Sequence, residues 1–109
     1  MYSTFKFNIG LNNNPFSAKE IEEQLKLQFG ATHFHVVDSE WDGKSEPTLV
    51  FTVQAFGWAW VNLLAQALCL RYKQTAIAFK GMESGYGTLT YVHGWQGEMG
   101  EFSDEYFVD

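Results

Sequence analysis

The chain has 109 residues, 46% of them hydrophobic and 17% aromatic, and carries a formal net charge of −6 at pH 7. This length fits a single domain with its own core, and the hydrophobic content excludes a disordered chain. Cys69 is the one cysteine, which excludes an intrachain disulfide and a cysteine-based zinc site.

The first predicted element is a strand over residues 4–11. Phe5, Phe7 and Ile9 alternate with Lys6 and Asn8, which places apolar side chains on one face and polar side chains on the other. The N-terminal residues therefore resemble a strand and not the apolar segment of a secretion signal. We expect a cytoplasmic protein.

A capped helix is predicted from Ala18 to Phe29. Ser17 and Glu20 have the spacing of a capping box, in which each residue binds the backbone N–H of the other. Gly30 provides the C-terminal stop, because glycine adopts the left-handed conformation that ends many helices.

A β-hairpin is predicted over residues 32–56. The runs HFHVVDSEW and TLVFTVQAF are two strand candidates, and Asp42 and Gly43 between them form a dipeptide typical of tight hairpin turns. We expect the first of these strands to be half exposed, with its polar side chains facing outward.

His33 and His35 offer an alternative interpretation of the same strand. Residues two apart in a strand share a face, so both imidazoles could bind one metal ion, with a carboxylate from Asp38, Glu40 or Asp42 completing the site. The hairpin explains these residues without a ligand, so we predict no cofactor. Metal or small-molecule binding around His33 and His35 is the alternative function.

The segment GWAWVNLLAQALCLRYK, residues 57–73, predicts a second helix with an unusually broad apolar stripe. Such a stripe indicates burial on more than one side, and the sheet covers only one of them. A second subunit or the C-terminal segment is expected to cover the rest. Asn62, Gln66 and Arg71 interrupt the apolar run, so we expect no membrane span.

Two further short strands, in QTAIAFK and GTLTYVHG, complete the predicted order β-α-β-β-α-β-β. The first six elements have the order of a ferredoxin-like sandwich. We therefore predict an α+β fold of that type, with an antiparallel sheet of four to five strands and two helices on one face.

Nucleic-acid binding is not expected. Residues 84–91, SGYGTLTY, match only part of the RNA-recognition signature, and the chain lacks the basic surface that holds a phosphate backbone. Candidate nucleophiles and phosphate loops also lack the spacing that their chemistry requires. An enzyme of unidentified class is therefore the second alternative function.

Residues 98–109 contain five acidic and no basic residues, and so carry −5 of the net charge of −6. We predict a single domain over residues 1–97 followed by an acidic, aromatic tail over residues 98–109. This composition is typical of a segment that docks on a partner or on its own domain. The predicted partner-binding residues are Trp95, Glu101, Phe102, Asp104, Glu105, Tyr106 and Phe107. We expect the aromatic side chains to anchor the contact and the acidic side chains to guide the approach of the partner electrostatically.

The capped first helix, the run SEPTLVFTV, and the segments QTAIAF and GYGTLTY resemble uncharacterised small α+β proteins of bacteriophages and mobile elements. This resemblance carries no catalytic motif, and it implies an inhibitor or accessory protein that acts by stoichiometric contact. The leading prediction is a non-enzymatic protein-binding module that contacts another protein. Self-association through the second helix as a homodimer is one way to cover the broad apolar stripe, and docking of the C-terminal tail is the other.

Overall fold

The computed structural model describes residues 3–41, 43–74, 76–82, 87–91 and 96–99. Two helices and six strands follow one another in these segments. Their order is β1 (Ser3–Gly10), α1 (Ala18–Phe29), β2 (Thr32–Trp41), β3 (Lys44–Ala55), α2 (Trp58–Arg71), β4 (Ala76–Gly81), β5 (Gly87–Tyr91) and β6 (Gln96–Met99).

The strands form one sheet in the order β2-β3-β1-β4-β5-β6, and all neighbouring strands are antiparallel. Helix α1 connects β1 to β2, with β3 between those two strands. Helix α2 connects β3 to β4, with β1 between them. The predicted α+β class with an antiparallel sheet is confirmed.

The sheet has one strand more than the four to five predicted. Strand β6 has the sequence QGEM, which has no alternation of apolar and polar residues for a periodicity argument to detect. The domain boundary predicted at residue 97 lies inside this strand. The division into domain and tail stays a prediction, since residues 100–109 lie outside the described residues.

Helix α1 begins and ends at the predicted residues. The Glu20 N–H donates to Ser17 Oγ at 3.2 Å, and the Ser17 N–H donates to Glu20 Oε1 at 3.1 Å, so both bonds of the capping box are present. Gly30 has a φ of 63°, and its N–H donates to the carbonyl of Lys26. Local interactions therefore set the first and last residues of this helix.

The predicted hairpin is also confirmed. Strands β2 and β3 are paired along their length, and Trp41 and Lys44 are the last pair before the turn. Gly43 in the turn has a φ of 74°. At the far end of the hairpin the register shifts between Thr32 and His35, which marks a β-bulge.

The core lies between the helices and one face of the sheet. Phe7 is at its centre, with its ring stacked 5.4 Å from Phe51 on β3 and 5.4 Å from Phe79 on β4. The buried side chains of α1 are Ile21 and Leu25. Those of α2 are Val61, Leu64, Ala65, Leu68 and Cys69. These residues belong to one continuous cluster, which places both helices on the same face.

The other face of the sheet differs from the sequence prediction. The sequence predicts that Lys6, Asn8 and Ser39 face outward, but these three residues and Thr48 are each at most 8% exposed. The expectation that the polar side chains of β2 face outward is therefore wrong for Ser39. The alternation of side chains along a strand assigns each side chain to one face of the sheet, but the tertiary fold decides whether that face is exposed to solvent. No described helix is long and apolar enough to cross a membrane.

Candidate functional site

Helix α2 has apolar side chains on two opposite sides, and only one side contacts the sheet. The inner side is buried and consists of Val61, Leu64, Ala65, Leu68 and Cys69. An ordinary surface helix carries polar residues on the side that faces away from the core. Helix α2 does not, and its outer side is the strongest candidate for a functional surface.

The outer side consists of five residues that we call the outer arc: Ala59, Trp60, Leu63, Ala67 and Leu70. At 3.6 residues per turn they fall within about 100° of the helix circumference. All five are exposed, with Trp60 at 49%, Leu63 at 66% and Leu70 at 67%. Gln66 and Arg71 border the arc, and no polar residue of α2 falls inside it. An apolar stripe of this width normally faces a partner surface.

The exposed apolar residues are concentrated in this part of the chain. Within the described residues, five of the eight exposed large hydrophobic side chains lie between Phe56 and Leu70, and three of these five, Trp60, Leu63 and Leu70, belong to the outer arc. Leu27 on α1 is a useful contrast, because it is 88% exposed but has Lys26 and Gln28 as neighbours. Single exposed leucines are normal on soluble proteins, whereas a contiguous patch indicates an interaction site.

Both ends of α2 are fixed to the rest of the fold. At its start, the Trp58 ring packs edge-on against Phe5 with ring centroids 5.1 Å apart. Beyond its end, the Gln74 amide donates to the Gly10 carbonyl at 3.0 Å and accepts from the Gly10 N–H at 3.0 Å. The outer arc is therefore presented by a helix with a fixed position, which lowers the entropy lost on binding.

Two hydrogen bonds join the last turn of α2 to α1. The Tyr72 hydroxyl donates to Gln24 Oε1 at 2.7 Å, and the Arg71 guanidinium donates to Gln28. Burial raises the pKa of the Tyr72 phenol, and the hydrogen bond and positive charge of Arg71 oppose this shift only in part. The phenol is therefore protonated at neutral pH and acts as a donor.

Cys69 lies on the inner side of α2 and is buried. Burial raises the pKa of its thiol to about 12 from an ordinary value of 9.0, because the thiolate would lose its hydration. A thiol that stays protonated at neutral pH is a poor nucleophile and a poor metal ligand. Cys69 contributes to packing.

The two histidines of the metal hypothesis lie at the bulge in β2. His33 has a φ of 58°, and its Nδ1 is 2.9 Å from Thr32 Oγ1 and 3.3 Å from Thr52 Oγ1. The Nδ1 of His35 is 3.2 Å from the carbonyl oxygen of His33. The bulge breaks the alternation on which the shared face of the two rings was predicted.

Of the three carboxylates proposed to complete that site, the structure describes the side chain of Asp38 and not that of Glu40. His35 pairs with Val50 and Asp38 pairs with Pro47, which places Asp38 on the opposite face of β2 from His35. Asp42 lies outside the described residues. In the described segments, no group of three or more histidine, cysteine, aspartate or glutamate side chains is arranged to hold a metal ion.

A buried hydrogen-bond chain crosses the face of the sheet away from the helices. Asn8 Nδ2 donates to Ser39 Oγ at 3.0 Å, Ser39 and Thr48 hydroxyls are 2.8 Å apart, and Thr48 Oγ1 donates to the Val37 carbonyl at 3.2 Å. Because Thr48 donates to Val37, Ser39 donates to Thr48. None of these partners is a general base, so the chain does not activate Ser39 as a nucleophile.

The predicted partner-binding residues lie outside the described residues. This holds for Trp95 and for Glu101, Phe102, Asp104, Glu105, Tyr106 and Phe107. The outer arc was partly predicted. The sequence places Leu63, Ala67 and Leu70 beside the main apolar face of α2, but it leaves open which of the two surfaces the sheet covers.

Comparison of the chain with protein-family models, with curated proteins and with solved structures finds no match.

Proposed function

We propose that this chain is a non-enzymatic protein-binding module that acts by stoichiometric contact, and that the outer arc of α2 is its binding surface. The exposure of Leu63 and Leu70 on a helix that is already anchored through its other side is the observation that carries this proposal. Neither side chain belongs to the buried core cluster of the described residues.

The physical reason is the free energy that remains available at the arc. Moving a leucine side chain from water into an apolar contact is worth about 1.5–3 kcal/mol. Leu63 and Leu70 are each about two-thirds exposed, so most of this free energy is not gained on folding. It is gained when another apolar surface covers the arc, as in the packing of one helix face against another.

We propose that β1 to β4 and the two helices form a ferredoxin-like sandwich. Each helix joins two strands that are separated by one other strand, which is the arrangement of two interlocked β-α-β units. In such a sandwich the helices form an outer layer, and a binding surface on α2 is accessible to a second protein.

The biological form that we propose is an inhibitor or accessory protein, the role implied by the resemblance to bacteriophage and mobile-element proteins. Occupation of a partner surface needs no catalytic group, so one apolar helix face is sufficient for it. Among the residues that the structure describes, no comparable surface supports the alternatives, which are catalysis and the binding of a metal or small molecule through His33 and His35.

Site-specific photo-crosslinking in living cells tests the proposal. A photoreactive phenylalanine derivative replaces Leu63 in one variant and Leu27 in a matched control variant, since both positions are exposed leucines on helices. We expect irradiation to give a discrete covalent adduct with a second polypeptide at position 63 and none at position 27. Equal labelling at both positions would contradict a specific surface.

A truncation separates the arc from the predicted tail residues. Ending the chain after Met99 removes residues 100–109 but keeps all of β6. We expect the position-63 adduct to persist in this truncated chain. Loss of the adduct, with an unchanged circular dichroism spectrum, would assign binding to the predicted anchors Phe102, Tyr106 and Phe107 instead.

A further inference from the structure

We infer that the partner of the outer arc is a second copy of this chain, with the two α2 helices packed antiparallel about a twofold axis near Ala65. This inference rests on the proposed function, because it names the occupant of the same surface. Three features of the arc support it: the alternation of side-chain sizes, the distribution of charge, and the amount of exposed apolar surface.

The sizes alternate in a way that makes the arc complementary to itself. In an antiparallel pair centred near Ala65, Leu63 lies level with Ala67 of the second copy, and Trp60 lies level with its Leu70. Each central leucine therefore meets a small residue, which allows close helix packing. This centre also nearly coincides with the midpoint of Trp58–Arg71, so the same register gives full overlap of the two helices.

The charges permit two copies to approach. Helix α2 has one charged residue, Arg71, which stands at the border of the arc and donates to Gln28 of its own chain. In the antiparallel register each Arg71 lies level with Ala59 of the second copy. The two guanidinium groups are then about 18 Å apart along the helices, beyond the screening length of about 8 Å in physiological salt.

The exposed area predicts a reversible dimer. The outer arc exposes on the order of 400 Å² of apolar surface per chain, given the usual areas of such side chains. Covering this area on two chains gives on the order of 800 Å², which is the size of a weak, transient interface. We therefore expect a monomer–dimer equilibrium in the micromolar range.

Sedimentation velocity of the full chain over a range of micromolar concentrations is the first test. We expect the mass to rise from 12.5 kDa toward twice that value. Leu63→Glu and Leu70→Glu should each weaken the dimer about tenfold or more, because each places a charge within an apolar contact, Leu63 opposite Ala67 and Leu70 opposite Trp60. Leu27→Glu is the matched control and should leave the dimer unchanged.

A further variant, Ala67→Trp, distinguishes a specific interface from non-specific hydrophobic association. Ala67→Trp makes the arc more hydrophobic, so non-specific association would increase. In the proposed register the added ring clashes with Leu63 of the second copy, so we expect a weaker dimer. Because position 67 is exposed, circular dichroism and thermal melting of this variant should match the parent chain.

Disulfide trapping tests the register itself. Under mild oxidation, a mixture of Leu63→Cys and Ala67→Cys chains should form a mixed dimer faster than either variant alone, because these positions are level across the twofold axis. A mixture of Leu27→Cys with Ala67→Cys is the control. Cys69 is buried and stays out of the reaction.

The outcomes distinguish the inference from the proposed function. Both the inference and the proposed function are supported if Leu63→Glu and Leu70→Glu weaken the dimer and the disulfide forms between positions 63 and 67. A monomer at all concentrations that still gives the position-63 adduct in cells overturns the second copy and leaves the protein-binding function standing. A dimer indifferent to Leu63→Glu overturns the second copy at this surface, and absence of the adduct would then overturn the function as well.

Discussion

The amide of Asn8 on β1 donates to the hydroxyl of Ser39 on β2 at 3.0 Å, although β3 lies between these two strands. The side chains meet above β3, where Thr48 is the next member of the hydrogen-bond chain. Asn8 is 6% exposed and Ser39 is 2% exposed. Three strands are thus tied together by buried polar groups on the face that carries no helix.

Ser39→Ala should lower the free energy of unfolding by about 1–3 kcal/mol, because it leaves Asn8 and Thr48 each without one hydrogen-bond partner in a buried position. Urea denaturation followed by tryptophan fluorescence measures this. Ser45→Ala, at an exposed position of β3, is the matched control and should change stability by less than about 0.5 kcal/mol. Equal effects of the two substitutions would show that the buried chain is not stabilising.

Ser17→Ala should lower the free energy of unfolding by about 1 kcal/mol, because the Glu20 N–H then loses its capping oxygen. Thermal melting followed by circular dichroism measures the change. Lys19→Ala, in the same exposed turn, should have little effect. Ser17→Asp should restore most of the stability, since aspartate caps helices as well as serine; failure of this rescue would argue against the cap.

Cys69 should make stability depend on pH in the alkaline range. Its pKa is raised from 9.0 to about 12 in the folded chain, so the folded state holds the proton more tightly than the unfolded state. The stabilisation is fully present below about pH 9 and is lost as the pH rises toward 12. Comparison of urea denaturation at pH 8 and pH 10.5 should show a smaller loss for Cys69→Ala than for the parent chain.

The thiol of Cys69 provides an independent check of the same burial. Reaction with a thiol reagent at pH 8 should be slow in the native chain and should become fast when urea unfolds it. Fast labelling of the native chain would mean that the thiol is accessible to solvent. The alkaline pH dependence of stability would then have to come from another titratable group.

The metal hypothesis for His33 and His35 makes its own prediction. If the two imidazoles bind a divalent ion, zinc or nickel raises the melting temperature, and replacement of both histidines by alanine removes the shift. Apo protein prepared with a chelator is the reference state. A shift that persists in the double variant would exclude these histidines as the ligands, and no shift in the parent chain would exclude the site.

The sequence by itself determined the elements whose signals are local. The bonds between Ser17 and Glu20 and the left-handed Gly30 lie within one helix, so the bounds of α1 follow from the nearest neighbours in the chain. The turn at Gly43 and the alternation of Phe5, Phe7 and Ile9 are local in the same sense. They predicted the hairpin and the inner face of the sheet.

The tertiary structure alone decided which surfaces are covered. Alternation put Lys6 and Asn8 on the face opposite the core, but their burial depends on residues far away in the chain. The apolar run of α2 predicted two covered sides, yet only the packed domain shows that Val61 faces inward and Leu63 outward. Periodicity depends on the nearest neighbours along the chain, whereas solvent exposure depends on every segment that folds against a residue.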